Sequence, residues 1–373
     1  MCLIRKGKSK AVKRILCILS SLSAGGAETF LMKLYRALPP DEYQFDFVVS
    51  VEGGCYTEEV LARGGRIYPI PQRTKNFPGA FHGIYATVKE NRYDVVLKLA
   101  ENSLAVTDLV AAKLGGAKTL ALRSCNAPTG MSLAGRSAHT LLRPMLNAVT
   151  TVKLAPSDLA ADFMFGKHVA RKGAHLLHNG VDLNVFRYDT EGRREVRREF
   201  SLENKLVVGH VGRFHRQKNH LYLLEVFAKI RKQREDAVLL LVGTGDLESQ
   251  IRNRINEMGL ADAVIFTGLR FDIPRLLSAM DVFVFPSFHE GMPNTVIEAQ
   301  ATGLPCVIAD TITREADITG LVQYLSLEST PEEWARTALS AVNTERVDTK
   351  QAFMDHGYDI EGVAREFMQL LGC

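Results

Sequence analysis

The sequence predicts an α/β protein made of two Rossmann-like halves. Three observations carry that expectation. Short β-rich runs alternate with helix-spaced stretches, the pattern of a parallel sheet covered on both faces. The alternation breaks once, in a polar stretch between residues 178 and 198, and then resumes. A chain of 373 residues is also long enough to favour two cores over one.

In the first half, residues 15–20 read as a strand and Ser23-Ala24-Gly25-Gly26 as a turn. Apolar side chains at 27, 30, 31, 34 and 38 then follow helical spacing over 27–38. Further strands are expected at 45–51, 66–70, 93–99 and 118–122, with helical segments between them such as 103–114. His178-Asn179-Gly180-Val181-Asp182 breaks the pattern with an Asn-Gly turn signal, and the residues up to Arg198 are polar and charged. The second series has strands at 206–211, 238–242, 264–267, 282–286 and 305–309, with helices at 219–232, 247–258 and 295–302. The halves are thus expected to join near 180–200, giving domains over 1–182 and 183–357. Residues 360–371 are amphipathic, and spacing alone leaves open which half they pack on.

Lys plus Arg is 46 and Asp plus Glu is 42, a surplus of only +4. With 46% apolar and 24% charged residues, the composition is that of a globular protein and excludes disordered or collagen-like chains. So small a surplus gives no case for a general nucleic-acid binder. The six cysteines, at 2, 17, 55, 125, 306 and 373, form no C-x-x-C pair and no zinc spacing. They read as structural residues in a reducing compartment. The apolar stretch 15–22 is too short to span a bilayer and leads into a glycine turn, not a cleavage site. A cytoplasmic location follows as the expectation.

Four motifs stand at strand ends. Gly25-Gly26-Ala27-Glu28 opens a helix, where glycines admit close backbone approach and a helix start favours an anion; alone it is also an ordinary tight turn. It lacks the G-x-G-x-x-G fingerprint of nicotinamide enzymes. The loop from Gly212 to Asn219 carries Arg213 and Lys218, two cations suited to a diphosphate. Gly243-Thr244-Gly245-Asp246 reads as a glycine turn with Asp246 as helix N-cap. The most specific block is Ser287-Phe288-His289-Glu290-Gly291-Met292-Pro293-Asn294, followed by a helix that carries Glu298 one turn in. Two acceptor-only carboxylates flank a turn of amide donors, which suits a polyol bearing phosphate.

The ordered set GGAE, HNGVDLNVF, GRFHRQKNH, GTGD and HEGMPNTVIEAQATGLPCV resembles the retaining glycosyltransferases of family 4. With the later Ile318-Thr319-Gly320-Leu321-Val322, it is similar to enzymes of capsular and extracellular polysaccharide synthesis. The resemblance spans nearly the whole chain. It implies the GT-B fold, two Rossmann-like domains facing each other across a cleft, with an N-terminal acceptor domain, a C-terminal donor-nucleotide domain, and residues 358–373 packing back on the former. It also implies roles. Arg213 and Lys218 bind the donor diphosphate, and Glu290 contacts the donor sugar. The backbone of Gly291, Met292, Pro293 and Asn294 reaches sugar hydroxyls and phosphate. Glu298 holds the ribose, and Gly25 and Gly26 sit under the phosphates.

Under that resemblance the reaction is transfer with retention from a nucleotide sugar, a UDP-sugar, to a glycan or lipid-linked acceptor. Glu290, Arg213 and Lys218 are the catalytic candidates. Preformed cations stabilise charge on the departing diphosphate. No D-x-D motif is present, and no metal or other cofactor is expected. Related enzymes often carry a histidine after an N-domain strand; the matching stretch 121–126 has Arg123 near that place. Base recognition is expected from backbone near Gly268 to Phe271. A GT-B-type sugar-nucleotide 2-epimerase and a silent sugar-nucleotide-binding protein are the alternatives.

No acidic residue occurs between Asp108 and Asp158, an interval that holds Lys113, Lys118, Arg123, Arg136, Arg143 and Lys153. Arg5, Lys6, Lys8, Lys10, Lys13 and Arg14 add to this basic first half. It suits a face meeting anionic membrane lipid, with the amphipathic stretch 132–146 inside it.

Overall fold

The computed structural model describes residues 12–23, 25–125, 131–342 and 345–373. Cys2, the basic residues 5, 6, 8 and 10, Ala24 of the first glycine turn and Asn126 lie outside the described residues. The chain divides into two compact units, Met1–Gly180 with Ile360–Cys373, and Val181–Asp359.

The first unit is a parallel sheet of seven strands in the order β3-β2-β1-β4-β5-β6-β7. They are β1 (Lys13–Leu19), β2 (Tyr43–Val49), β3 (Ile67–Pro69), β4 (Val95–Ala100), β5 (Thr119–Ser124), β6 (Val152–Ala155) and β7 (Ala174–Leu176). The second unit has six parallel strands in the order β10-β9-β8-β11-β12-β13. These are β8 (Leu206–Val211), β9 (Ala237–Val242), β10 (Val264–Gly268), β11 (Val282–Phe285), β12 (Cys306–Ala309) and β13 (Val322–Leu325). Both β8 and β9 are buried at every position. A strand covered on both faces has no solvent side, so its sequence is nearly unbroken in apolar residues.

The helix Gly26–Ala37 turns Phe30, Leu31, Leu34 and Tyr35 to the core, one apolar stripe at helical spacing. Tyr35 stacks on Phe45 of β2 at 5.1 Å. The last helix, Ile360–Leu370, buries Ile360, Val363, Ala364, Phe367 and Met368 in the first unit's core. Phe367 meets Phe45 edge-on at 6.2 Å.

Two expectations change. The polar stretch after Asp182, read from the sequence only as a break in the alternation, holds a helix of the second unit, Thr190–Glu199. Its inward face is cationic. Arg193 and Arg197 each donate to one oxygen of Asp281 at 2.7 Å, and Arg197 donates to the Ala279 carbonyl. Asp246 is not an N-cap. The helix starts two residues later, at Glu248, with Leu247 in the cap position and no side-chain cap bond. The turn is closed instead by backbone, Leu247 N–H donating to the Phe214 carbonyl at 3.1 Å, and Asp246 stays in solvent 3.6 Å from Arg213.

Candidate functional site

In each sheet the strand order reverses direction once. In the second unit the reversal lies between β8 and β11. Loops that leave the carboxyl ends of such neighbours diverge to opposite faces and leave a crevice. The motif residues 212–219 and 286–293 are those two loops.

The loops are tied together before any ligand is considered. After β9, Gly243 has φ +135°, and a Cβ there would overlap the Gly212 carbonyl oxygen, so only glycine lets the two turns touch. Phe214 N–H donates to the Thr244 carbonyl at 2.9 Å. Across the reversal, Phe288 N–H donates to the Gln217 carbonyl at 2.9 Å, and Gln217 Nε2 donates to the His289 carbonyl at 2.8 Å.

On this frame Lys218 Nζ lies 2.8 Å from Glu290 Oε1. Both side chains are largely buried, at 17% and 10% exposure, so the pair is weakly screened. The same ammonium lies 4.5 Å from the centre of the Phe285 ring. Lys218 closes a short 3-10 turn, Arg216–Lys218, in which the Gln217 N–H donates to His215 Nδ1. Asn219 then takes a left-handed conformation and starts the helix His220–Gln233.

The helix after Glu290 is Asn294–Ala301, with Pro293 in the cap position and no side-chain cap. The amides of Gly291, Met292 and Thr295 donate to nothing among the described residues. They are a set of N–H donors at a helix start. Glu298 stands one turn inside. Arg213 differs from Lys218: it is 70% exposed. The structure thus brings Lys218 and Glu290 into direct contact, sets Gly291 to Asn294 beside them in sequence, and leaves Arg213 reaching into solvent.

Below the loops sits a feature the sequence did not reveal. His210 on β8 is fully buried, its Nδ1 2.9 Å from the Val284 carbonyl. His220 meets it edge-on at 4.7 Å and is 2% exposed. Burial first, then the neighbouring charge of Lys218, pushes His220 down to about 4; burial holds His210 well below the usual histidine value. Both rings are therefore neutral at pH 7, which leaves Lys218 as the cation of this spot.

Gly25, Gly26 and Arg123 belong to the first unit. Gly25 caps the helix Gly26–Ala37, and a Cβ on it would overlap Glu28 Oε2, so glycine lets the carboxylate fold back over the helix start. Arg123 is 2% exposed. It donates to the Leu177 carbonyl at 3.2 Å and to Asn179 Oδ1 at 2.6 Å, and it lies 3.6 Å over the Phe30 ring. It is a packed cation that ties β5 to the segment leaving β7. No group of three or more His, Cys, Asp or Glu side chains comes together as a metal site among the described residues.

A family model described as Glycosyltransferase Family 4 matches residues 24–185, and one described as Glycosyl transferases group 1 matches residues 205–344. The putative glycosyltransferase EpsF of Bacillus subtilis is 34% identical over 359 residues, covering 94% of each chain. The chain belongs to glycosyltransferase family 4.

An Escherichia coli relative of this glycosyltransferase is 38% identical over 301 residues, covering 76% of each chain. It is a UDP-Gal:alpha-D-GlcNAc-diphosphoundecaprenol alpha-1,3-galactosyltransferase. Among solved structures, Anabaena HepE in complex with UDP matches with a TM-score of 0.77 at 18% identity, over 97% of this chain and 100% of that one. A glycosyltransferase from Rickettsia africae matches at 0.79 with 17% identity, over 96% and 98%. These likenesses give the glycosyltransferase the GT-B fold, two parallel-sheet α/β domains.

Sequence reasoning passed over Gln217, His210 and His220 in this glycosyltransferase. The signal available was a histidine inside the apolar run LVVGHV, where a packing role is the simpler reading. Gln217 gave none, because its partner is a main-chain carbonyl.

Proposed function

We propose that this glycosyltransferase moves a sugar, with retention and without a metal, from a UDP-sugar to a lipid-linked or glycan acceptor of cell-surface polysaccharide. The observation that carries the donor site is the buried Lys218–Glu290 pair beside the amides of Gly291, Met292 and Thr295, which donate to nothing among the described residues. Lys218 and Arg213 neutralise the diphosphate. The backbone of Gly291 to Asn294, with the Thr295 amide, reaches phosphate and sugar. Glu290 takes a donor-sugar hydroxyl, Glu298 the ribose hydroxyls, and the backbone from Gly268 to Phe271 the base. Gly25 and Gly26 lie under the phosphates.

As the anomeric C–O bond breaks, electrons pass to the β-phosphate oxygen, where cations and fixed dipoles stabilise them. The acceptor oxygen attacks from the same face, and the departing phosphate takes its proton. The UDP reading is supported by HepE, solved with UDP and with UDP-glucose, and by the donor of the Escherichia coli relative. That relative and a Campylobacter jejuni one are named for diphosphoundecaprenol-linked acceptors, which supports a lipid-linked acceptor here. The enzyme then works in the cytoplasm at the inner face of the membrane.

Glu290→Ala and Arg213→Ala are each expected to abolish transfer while thermal melting shows the fold intact. The assay is UDP release from UDP-sugars with and without acceptor. Release only with acceptor marks a transferase. Full activity in either variant contradicts the assignment.

A further inference from the structure

Away from the donor site, the second unit holds a largely buried cation that no carboxylate pairs. Arg346 lies just before the helix Lys350–Asp355. Its Nη1 donates to the Thr302 carbonyl at 3.0 Å, and its Nη2 donates to the carbonyls of Leu277 and Met280. Those carbonyls stand at the ends of the helices Asn294–Ala301 and Ile273–Ala279, where the helical ladder leaves acceptors free. Among the described residues no carboxylate comes within ion-pair distance of Arg346. Asp281 acts on it from farther off and is already held by Arg193 and Arg197. Burial first, then the charge of Arg193, push the Arg346 guanidinium down to about 10, so it remains a cation at pH 7.

Arg346 lines a cavity of about 410 Å3, together with Arg187, Tyr188, Asp348 and Lys350. Three cations meet one carboxylate, so the lining carries a charge of +2. Arg187 and Lys350 are exposed and make no ion pair among the described residues. Asp348 accepts the Lys350 amide at 2.9 Å. The acids next along the chain lie outside the lining. Asp182 accepts from the amides of Asn184 and Val185, Asp189 from those of Glu191 and Gly192, and Glu345 is exposed. The walls are fixed. The Arg346 guanidinium lies 5.2 Å from the centre of the Tyr188 ring, and the Thr349 hydroxyl donates to the Ala301 carbonyl at 3.0 Å. Ala301 ends the helix whose start supplies the donor-site amides, so the cavity lies about 12 Å from them, the length of that helix.

A lining of +2 calls for a dianion. A phosphate group carries close to two negative charges at pH 7 and offers three acceptor oxygens, which suits guanidinium and ammonium donors. We propose that this cavity binds a phosphate group, free or carried by a small monoester, at a site separate from the donor site. Arg187 and Lys350 donate to its oxygens from the rim, and Arg346 supplies charge from the wall. Phe186 and the Tyr188 ring offer apolar surface to the organic part of an ester. The inference does not depend on the glycosyl-transfer reading.

The test is calorimetric titration of the full chain in phosphate-free buffer with UDP present at high concentration. The probes are inorganic phosphate and glucose 6-phosphate. Saturable binding of at least one is expected. It should fall about ten-fold or more in Arg187→Gln/Lys350→Gln, two exposed positions whose exchange leaves thermal melting and UDP affinity as in the wild type. Lys218→Met, which removes the donor-site ammonium, should leave it unchanged. Tighter binding of glucose 6-phosphate supports a monoester as the occupant, and equal binding supports free phosphate. Binding of neither probe, equal binding in the double variant, or loss of binding in Lys218→Met overturns the proposal.

Discussion

A histidine with both ring nitrogens sealed from water and bonded to nothing, as in His220, tolerates only its neutral form. The unfolded chain takes up a proton at this residue below the ordinary value of 6.5, while the folded chain resists until about 4. The stability that neutral burial supplies is therefore whole above 6.5, declines as pH falls towards 4, and is then level. The loss is on the order of 3 kcal/mol. His210, held by burial well below the usual histidine value, acts with the same sign. Denaturant titrations at pH 7.5 and pH 5 should show a shallower loss in His220→Leu than in the wild type. Equal losses would contradict the burial argument. At this scale the convergence of Lys218 and Glu290 was legible from their place in loops at the carboxyl ends of strands, since β8 and β11 are neighbours at the strand reversal. Gln217 was not legible: the His289 carbonyl it donates to is 72 positions away, and only the pairing of β11 with β8 brings the two loops together.

Among the elements, inner strands such as Leu206–Val211 and Ala237–Val242 read clearly, because burial on both faces leaves an apolar run. Helix Thr190–Glu199 did not, because what it turns inward is arginine. Arg193 Nη1 donates to the carbonyls of Ser278, Ala279 and Met280, and Asp281 accepts from Arg193, Arg197 and the Val207 amide. A sequence pattern for burial looks for apolar spacing and passes over a buried ion cluster. Removing the shared carboxylate leaves two arginines uncompensated. Asp281→Ala should cost about 3–5 kcal/mol, read as a lowered midpoint in urea. A change below about 1 kcal/mol would show the cluster to be solvated in solution. The helix start at Glu248 misled in a similar way: Asp246 has the residue type of a cap, but the backbone of Phe214 had already closed the turn.

For the whole molecule, two parallel-sheet halves were legible from alternation alone, while the bonds that tie the strand-end loops together needed the structure. The membrane reading belongs here too. Helix Leu133–Val149 leaves Leu133, Leu141 and Met145 exposed, at 83%, 79% and 44%, on an element that carries Arg136 and Arg143 and no acid. No helix among the described residues is long and apolar enough to cross a membrane. Co-sedimentation with anionic vesicles at low salt is expected, and should weaken in Leu133→Ser/Leu141→Ser; no binding to such vesicles would remove the idea. The central claim is narrower: loops at the strand reversal of the second unit hold a nucleoside diphosphate. Calorimetric titration of UDP into the wild type and Lys218→Met tests it most directly. The account predicts saturable binding that falls about ten-fold or more without the ammonium. UDP binding that is absent from the wild type, or equally tight in the variant, would contradict it.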